Sequence, residues 1–497
     1  MSTFTLGGPT DLSCDVLIVG SGAGGSSVAT ALLDAGLDVL MIEEGPYVSA
    51  DLAPDGLSRS MPQMWRGGGL TVAFGAPPIA FGEGRCVGGG TEINSAIFQR
   101  APESVIEEWR ASHRIDRFSA GDLAPYYDRA AAAVNASLTE GPLGPPTDIL
   151  RRAGEAMGWK VTALERGHRL CAGTNLCGAG CPTGAKQSMT TSLLPKALAK
   201  GLRLVARCQV TKILRKGRQV TGVRAIATSD DGRRHPVRIR CRDLFLCAGA
   251  LQTPVLLQSS GMIRSGTPFQ LHPTLRFLAR FEEPVDAARH RLPLVAITEF
   301  MPELRFGGSI LSLSAYGMAL AEDWAGRSAM LGDYRHYAMY YAMIRPRGVG
   351  AIRALPFARE PLLTYKLTPG DWSGIIDGAR KLSGALFAAG AQSVLPSVTG
   401  HHGWRGAAEA RAWDPSAAER SRAALMSIHL FSSLPMGENP GICGVDSFCR
   451  LNGFDNVVVG DASVLPTAPG VNPQGSIMAL AFRAADSFLA RRAGAPV

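Results

Sequence analysis

A glycine-rich turn between two apolar runs constrains the fold of this chain more than any other feature. The stretch reads CDVLIVGSGAGGSSVATALLDAGLDVLMIEEGP and begins at Cys14. The apolar run Val16–Val19 predicts a strand buried on both faces, Ser26–Ala35 predict a helix, and Val39–Ile42 predict a second strand. A strand, turn, helix and strand in this order are typical of a parallel sheet covered by helices, so the predicted fold class is α/β.

The three glycines of this turn and the acid after the second strand have separate predicted roles. Gly20 permits the tight turn, Gly22 lets the backbone approach a pyrophosphate, and Gly25 lets the helix pack closely on the strand. Glu43 is predicted to accept hydrogen bonds from a ribose diol, in preference to Glu44, whose side chain points to the opposite face of the strand. If the glycines are not purely structural, the unit predicts a site for the ADP half of NAD or FAD, without deciding between them.

Three further segments follow along the chain. A run of glycines, GRCVGGGTEINSAIF, begins at Gly84 and either wraps a large planar or anionic ligand or forms a plain loop. A predicted strand ending at Cys247 leads into GALQTPVLLQSSGM, which predicts a turn and a short helix. The segment NVVVGDASVLPTAPGVNPQGSIMALA contains a predicted strand, Val457–Val459, and leads into a predicted helix, Ser476–Leu489. In this order the segments resemble the signatures of the glucose–methanol–choline (GMC) family of flavin oxidoreductases, over nearly the whole chain.

The resemblance implies that the chain binds FAD, and it assigns residues to the cofactor by motif. The implied cofactor-binding residues are Gly20, Gly22, Gly25 and Glu43 for the ADP part, Arg85, Gly88, Gly89 and Asn94 along the flavin, Val210 at the adenine through its backbone, and Asp461 and Ala462 at the ribityl and pyrophosphate region. Some members of the family bind FAD covalently through a histidine beside the position of Asn94. This chain has Ile93 there, which implies non-covalent FAD.

Two polar residues near the C-terminus are candidates for the reaction itself. Oxidation of an alcohol by hydride transfer needs a base for the hydroxyl proton, and histidine, with a pKa of about 6.5, suits that task. By resemblance, His429 would take the proton, and Asn472 would hydrogen-bond the substrate oxygen and stabilise its developing charge. The residues after His429 depart from the H-P/G-x-G-T of many members, and a buried structural histidine is the alternative at this position. His272, in QLHPTLRF, is predicted to pack near the edge of the flavin domain.

A cysteine-rich segment, CAGTNLCGAGCPTGAKQS, has the spacing C-x5-C-x3-C over Cys171, Cys177 and Cys181. Glycines between the thiols would let backbone amides approach sulfur, so an iron–sulfur cluster held by three thiolates is one hypothesis. Zinc would need a further ligand, and the sequence places none nearby. The favoured interpretation has no metal and is a glycine-rich loop with buried thiols, or with one disulfide.

The cofactor motifs are split along the chain, which predicts a discontinuous domain. The runs YRHYAMYYAMIRPRGVGAIRAL and LLTYKLTP predict antiparallel strands, and WSGIIDGARKLSGALFAAGAQ predicts an amphipathic helix ending at Gly390. GPLGPPTD, residues 141–148, is predicted to be a turn-rich loop. The predicted architecture is a Rossmann-like FAD-binding domain of residues 12–110, 185–275 and 440–497, a connecting or lid segment of residues 111–184 with the cysteine-rich loop, and a substrate domain of residues 276–439 with an antiparallel sheet backed by helices.

Composition narrows the class of protein. Hydrophobic residues make up 46% and charged residues 19% of the chain, as in folded rather than disordered proteins. The net charge is +9, but the basic residues are scattered arginines and no long basic run interleaves with aromatics, so no nucleic-acid partner is predicted. No secretory or twin-arginine signal and no apolar stretch long enough to span a bilayer is recognised, so a cytoplasmic location is predicted.

These features predict FAD-dependent oxidation of an alcohol to a carbonyl, by hydride transfer to flavin N5 with His429 as the base. The predicted partners are a small-molecule alcohol and an electron acceptor, oxygen or another carrier. The composition and the cysteine segment resemble the 6'-dehydrogenases of aminoglycoside antibiotic biosynthesis, which oxidise a sugar hydroxymethyl group. Two alternatives stay open: a lyase of the GMC fold with a structural flavin, and a long-chain or sugar alcohol dehydrogenase that passes electrons to a partner.

Overall fold

A computed structural model describes residues 5–48, 57–69, 71–358 and 360–495 of the chain. In chain order its strands are β1 (Thr10–Val19), β2 (Val39–Ile42), β3 (Thr71–Ala73), β4 (Ile79–Phe81), β5 (Ala136–Ser137), β6 (Val161–Ala163), β7 (Arg166–Gly167), β8 (Arg203–Val205), β9 (Cys208–Lys216), β10 (Gln219–Thr228), β11 (Arg234–Leu246), β12 (Gln270–Leu271), β13 (Thr274–Arg280), β14 (Val295–Ile297), β15 (Leu304–Gly308), β16 (Tyr337–Ile344), β17 (Val349–Arg353), β18 (Leu362–Lys366), β19 (Ser393–Pro396), β20 (Leu425–Ser427), β21 (Leu430–Phe431) and β22 (Val457–Val459).

The α-helices are likewise numbered in chain order. They are α1 (Ala23–Asp34), α2 (Leu57–Met64), α3 (Gly90–Ile93), α4 (Glu103–His113), α5 (Ala120–Ala133), α6 (Pro145–Ala156), α7 (Leu193–Ala199), α8 (Gly249–Ser259), α9 (Leu313–Ala321), α10 (Trp324–Arg327), α11 (Pro369–Ala388), α12 (Ala407–Ala412), α13 (Ala417–Ser421) and α14 (Gln474–Arg492). None of the helices in the described ranges is both long enough and apolar enough to cross a membrane.

The first sheet contains the N-terminal unit and has the order β8–β2–β1–β11–β10–β9, with β22 beside β11. Three pairs of these strands are parallel: β2 with β1, β1 with β11, and β11 with β22. The carboxyl ends of the four strands therefore meet at one edge of the sheet, where Val19 lies opposite both Ile42 and Leu246. In open α/β sheets, ligands bind outside this edge. The sequence segments that follow these four strands are therefore brought together although they are far apart along the chain.

The second sheet has nine strands in the order β3–β4–β20–β13–β16–β15–β14–β6, with β19 beside β13. All neighbours are antiparallel except β4 and β20. Helix α11 packs against β16 and β15. Thr368 begins this helix by accepting a hydrogen bond from the Asp371 amide, and Gly390, with φ +97°, follows its end. The fold is thus a mixed α/β one, with a substrate sheet backed by a helix as predicted.

The structure departs from the sequence-based expectations in two details. Helix α6 begins at Pro145, inside the segment predicted as a loop, because proline is well tolerated in the first turn of a helix. The second sheet also takes β3 and β4 from the range predicted for the FAD-binding domain, and β6 from the predicted connecting segment. Strand pairing therefore crosses the predicted domain boundaries at residues 71–81 and 161–163.

Candidate active site

Two adjoining cavities lie where elements of both sheets meet. The larger, of about 910 Å³, runs from the glycine turn after β1 past the end of β2 to β9 and α8. The smaller, of about 400 Å³, is lined by residues of the glycine turn, of the loop that carries Asn94, of the cysteine-rich segment, of the second sheet and of the C-terminal segments. Gly22, Asn94 and Pro473 line both cavities and mark their junction. This arrangement offers a long site for a cofactor that opens into a separate site for a substrate.

The glycines of the first motif have the backbone geometry that their predicted roles require. Gly20 has φ +103°, and a Cβ there would lie 2.2 Å from the Cys247 carbonyl oxygen. A Cβ on Gly25 would lie 2.0 Å from the Gly20 oxygen, so close packing of α1 on the turn requires glycine. Gly22 differs, because a Cβ there would meet only the Gly89 Cα, at 3.9 Å. Its backbone faces open cavity, where a ligand can approach.

The second glycine run is held against the first. The Gly88 amide donates to the Ser21 hydroxyl at 3.0 Å, and Gly88 has φ +91°. Gly89 lines the larger cavity, whereas Gly88 lines neither cavity. Gly88 therefore positions the loop, and Gly89 and Asn94 present it to the cavities.

The two acids after β2 have different partners. Glu43 accepts hydrogen bonds from the amide and hydroxyl of Ser21 at 3.1 and 2.7 Å, and burial raises its pKa. Burial also opposes ionisation of Glu44, but ion pairs with Arg66 and Arg85 outweigh it and lower the pKa of Glu44 to about 2. All four of the acids and arginines line the larger cavity. Arg85 is thus fixed by Glu44 near the end of β2.

One more predicted cofactor residue and one that was not predicted line the same cavity. Val210 on β9 lines its far end. Gln252 on α8 also lines it, and its Nε2 atom is buried without a hydrogen-bond partner among the described residues. A buried donor without a partner is costly in a folded protein, so this amide fits a ligand with acceptor oxygens, such as a dinucleotide.

The Asp461 carboxylate links the segment that follows β22 to the segment that follows β11 through hydrogen bonds. One carboxylate oxygen accepts hydrogen bonds from the Gly249 amide and the Thr253 hydroxyl, at the start of α8, and the other from the amide and hydroxyl of Ser463. Burial raises its pKa. Asp461 and Ala462 both line the smaller cavity. Because its carboxylate is already occupied, Asp461 is available to a ligand through its backbone.

Lys186 fixes the loop that carries Asn94. Its buried ammonium group donates to the carbonyl oxygens of Glu92 at 2.6 Å, Asn94 at 3.1 Å and Cys177 at 2.7 Å. Burial lowers its pKa. The Asn94 side chain donates to Gln474 at 2.7 Å, at the start of α14. Sequence reasoning did not single out Lys186, since a lone lysine after a cysteine-rich loop carries no signal of this role.

The Lys186→Met variant is expected to lose about 3 kcal/mol of unfolding free energy, because three buried carbonyls lose their charged donor. Urea unfolding followed by fluorescence measures the change. Lys196→Met, at an exposed position on α7, is the matched control and should stay near wild type. Equal stability of the two variants would contradict the bonding role of Lys186.

The predicted catalytic pair meets in the smaller cavity. The Asn472 Nδ2 atom lies 3.1 Å from the His429 Nε2 atom, and both residues line this cavity. The Ser427 hydroxyl binds the backbone of His429, accepting from its amide at 3.1 Å and donating to its carbonyl at 2.9 Å. One imidazole nitrogen and one amide group therefore point to the same region, as binding of a single substrate oxygen requires.

A buried cation lies behind this pair. Arg305 on β15 is 0% exposed and donates to the Asn472 Oδ1 atom at 2.8 Å and to Gln99 Oε1 at 2.5 Å. Within the described residues it has no carboxylate partner. Burial, with the Arg305 charge as a second cause, lowers the pKa of His429 to about 3. His429 is therefore a neutral imidazole at neutral pH, which is the form that can accept a proton.

The structure shows what His272 packs against, which the sequence did not predict. His272 is completely buried, and its Nδ1 atom is 3.0 Å from the Nδ1 atom of His429. The cause is the antiparallel pairing of β12 with β21, in which Leu271 lies opposite Leu430. Continuing that register by one residue places the two histidines opposite each other.

The smaller cavity is largely apolar. Its lining includes residues that sequence reasoning did not assign to the substrate, among them Trp65, Arg276, Ile310, Met339, Met426 and Ile428. Tyr341 and Met343 on β16 also line it, whereas their neighbour Tyr340 is part of the core. Arg276 forms an ion pair with Glu322, and its Nε atom has no partner in the described part of the chain.

No group of three His, Cys, Asp or Glu side chains that could hold a metal ion occurs in the described part of the chain, the cysteine-rich segment included. Cys171, Cys177 and Cys181 are all free, so no disulfide forms among them. The Arg166 guanidinium contacts Cys177 at 3.3 Å and Cys171 at 4.0 Å, and Cys181 contacts Thr183 at 3.4 Å. The three thiols line one small cavity together with Arg166 and Lys186. Two cationic side chains therefore share this space with the thiols, and the geometry does not support the iron–sulfur alternative.

Comparison with known proteins identifies the family. Models of GMC oxidoreductases match residues 61–274 and 353–481, and a model of an FAD-binding domain matches residues 15–54. An uncharacterized GMC-type oxidoreductase of Sinorhizobium fredii is 50% identical over 488 residues, which cover 98% of this chain and 96% of that protein. The chain belongs to the GMC oxidoreductase family and is an FAD-dependent alcohol oxidoreductase.

More distant relatives carry names that specify substrates. A long-chain-alcohol oxidase of Arabidopsis thaliana is 26% identical, over 95% of this chain and 66% of that protein. The 6'''-hydroxyparomomycin C oxidase of Streptomyces lividus is also 26% identical, over 96% of this chain and 91% of that protein. Among solved structures, pyridoxine 4-oxidase from Mesorbium loti is similar with a TM-score of 0.70 at 18% identity, covering 96% of this chain and 99% of that one, which shows the shared fold.

Proposed function

We propose that the chain oxidises a primary alcohol with a mostly apolar body, and that His429 is the base. The observation that carries the proposal is the 3.1 Å approach of His429 Nε2 and Asn472 Nδ2 at the cavity that adjoins the cofactor cavity. His429 takes the hydroxyl proton, and the Asn472 amide holds the oxygen as it gains negative charge. FAD, when bound, supplies the acceptor for the hydride.

The residues of the larger cavity would hold this cofactor without a covalent bond. Gly22 and Gly89 would leave room for the pyrophosphate, Glu43 would face the ribose, and Val210 would meet the adenine through its backbone, since all four line the larger cavity. Ile93 lines both cavities and has no nucleophilic atom. These placements support non-covalent binding by the predicted residues that line the larger cavity.

The lining of the smaller cavity favours an apolar substrate over an aminoglycoside. Asp461 is the only acid among its lining residues in the described part of the chain, and four hydrogen bonds already occupy its carboxylate. A substrate with several ammonium groups would bury charges without partners, which costs several kcal/mol. The aminoglycoside hypothesis stays as the second candidate, because of the similarity to the 6'''-hydroxyparomomycin C oxidase.

The test is anaerobic reduction of the bound flavin by a panel of alcohols, followed by visible absorption. We expect apolar primary alcohols to bleach the flavin at least about tenfold more efficiently than aminoglycosides with a free hydroxymethyl group. The reverse order would establish the second candidate. Cleavage of a cyanohydrin without bleaching would establish a lyase instead. Production of hydrogen peroxide in air would identify oxygen as the electron acceptor.

A variant of the cavity lining gives a second test. Ile310→Asp places a carboxylate among the residues that line the smaller cavity. It is expected to lower kcat/KM for apolar alcohols about tenfold and to improve that of amine-bearing ones, since it would supply the missing charge partner. An unchanged preference in this variant would show that the smaller cavity does not bind the substrate body.

A further inference from the structure

His272 forms a continuous chain of hydrogen-bonding groups with His429. Its Nδ1 atom faces the His429 Nδ1 atom at 3.0 Å, and its Nε2 atom accepts a hydrogen bond from the Gly470 amide at 3.1 Å. Its ring also packs edge-on against Phe431, at 4.8 Å between centroids. The imidazole is thus held in place on three sides, and rotation would break each of these contacts.

The two groups at the ends of this series of hydrogen bonds, the Gly470 amide and the Arg305 guanidinium, can act only as donors. The Gly470 backbone N–H can only donate, so the Nε2 atom of His272 has to accept. At the other end, the Arg305 guanidinium donates to Asn472 Oδ1 at 2.8 Å. That contact fixes the orientation of the Asn472 amide, whose NH₂ group therefore faces the Nε2 atom of His429.

Two neutral imidazoles cannot satisfy all of these contacts. Each neutral ring carries one proton, on either Nδ1 or Nε2. If both Nε2 atoms accept, both protons lie on Nδ1 and face each other across 3.0 Å. Burial lowers the pKa of both histidines, which keeps the pair neutral. In one of these contacts, therefore, two donors always face each other. The position of the ring protons determines which contact this is.

We propose that His272 is a positioning residue that sets whether His429 acts as a proton acceptor or a proton donor. With its proton on Nδ1, His272 donates to His429, whose own proton then lies on Nε2 beside the Asn472 NH₂. Both groups then donate to one oxygen, which suits a carbonyl or an alkoxide. With its proton on Nε2, His272 loses the Gly470 contact but accepts from His429 Nδ1, which leaves His429 Nε2 free.

This inference rests on the proposed function. In the oxidising direction, the free Nε2 atom of His429 is required: the alcohol O–H bond breaks, an N–H bond forms at Nε2, the oxygen gains a negative charge and His429 gains a positive one. The same His429 Nε2–H and the Asn472 amide then hold the oxygen. His272 thus stabilises one role of His429 or the other, without touching the substrate.

The variants His272→Asp and His272→Asn, whose new side chains are isosteric with each other, separate the two roles. The aspartate can accept from both the Gly470 amide and His429 Nδ1–H, which frees His429 Nε2, and Arg305 and Arg345 lie close enough to offset its charge. The asparagine, accepting from Gly470, has to donate to His429 Nδ1, which places the His429 proton on Nε2.

We expect flavin reduction by an alcohol to be at least about tenfold slower in His272→Asn than in His272→Asp. For the aldehyde product bound to the oxidised enzyme, measured by perturbation of the flavin spectrum, we expect the opposite order, with affinity about tenfold higher in His272→Asn. A role in packing alone would change both variants equally. Equal values in both measurements, or the same order in both, would overturn the proposal.

Wild-type protein gives an independent test if either variant fails to fold. In ¹⁵N spectra of histidine-labelled holoenzyme, the His429 ring signals can be assigned by their loss in His429→Gln. Binding of the aldehyde should move the proton signal toward Nε2, and a tautomer that stays unchanged would overturn the proposal. Because the aldehyde and NMR measurements do not require turnover, a failure of the proposed alcohol oxidation is distinguishable from a failure of this inference.

Discussion

Replacing His429 by alanine is expected to slow anaerobic reduction of the flavin by the alcohol about 10²- to 10⁴-fold. The variant loses the only imidazole nitrogen that lies beside the Asn472 amide in the smaller cavity, within the described residues. The bound flavin should keep its visible spectrum, since His429 does not line the larger cavity. Stopped-flow absorbance with the best alcohol of the panel measures the rate.

His402→Ala is the matched control, because His402 is exposed in the loop after β19. It should reduce at the wild-type rate. If His429→Ala reduces as fast as this control, His429 is not the base, and the interpretation of a buried structural histidine would hold.

The pH dependence gives a second readout of the same site. Burial and Arg305 lower the pKa of His429 to about 3, so protonation removes the base only well below the pH at which an ordinary histidine titrates. We expect kcat/KM to stay flat from about pH 5 to about pH 8, without the loss of activity near pH 6.5 that an exposed histidine would cause. If kcat/KM instead decreased as the pH falls below about 6.5, the proposal that His429 is a neutral, buried base would be contradicted.

Replacing Gly25 by alanine is expected to destabilise the protein by at least about 4 kcal/mol and to abolish FAD binding. Its Cβ would lie 2.0 Å from the Gly20 carbonyl oxygen, and this backbone cannot move without opening the contact of α1 with the turn. Unfolding by urea, followed by circular dichroism, measures the stability, and the ratio of visible to protein absorbance measures the bound cofactor.

Gly22→Ala separates cofactor binding from folding at the same turn. A Cβ there meets nothing closer than 3.9 Å in the protein, so the stability without cofactor should stay near that of wild type. FAD affinity should nevertheless decrease at least about tenfold, because the methyl group would occupy the path of the pyrophosphate. Gly384→Ala on α11, outside both cavities, is the control and should leave FAD affinity unchanged. Unchanged affinity in Gly22→Ala would place the pyrophosphate elsewhere.

Local patterns in the sequence were sufficient for the elements that hold the cofactor. The apolar runs Val39–Ile42 and Val457–Val459 are strands with the predicted bounds. Short parallel strands buried on both faces leave a continuous apolar signal, and the glycine turn after β1 leaves a spacing that few other structures require. The family follows from the order of such motifs, and the comparisons confirm it.

The contacts of the buried cations near the candidate site could not be predicted in this way. Lys186 and Arg305 are single cations whose partners are carbonyl and amide groups, and such partners leave no pattern in a sequence. Helix α6 begins within a segment whose prolines and glycines predict a loop, because proline serves equally at a loop and at the first turn of a helix.

The sequence by itself determined the α/β class and the cofactor motifs, since each depends on neighbours along the chain, and the family resemblance implied the two residues proposed for the reaction. Only the tertiary structure decided what surrounds His429. The register of β12 against β21 places His272 opposite it, and the second sheet places Arg305 beside Asn472. Registers between distant strands depend on how whole faces pack, so the protonation of His429 is a property of the assembled fold.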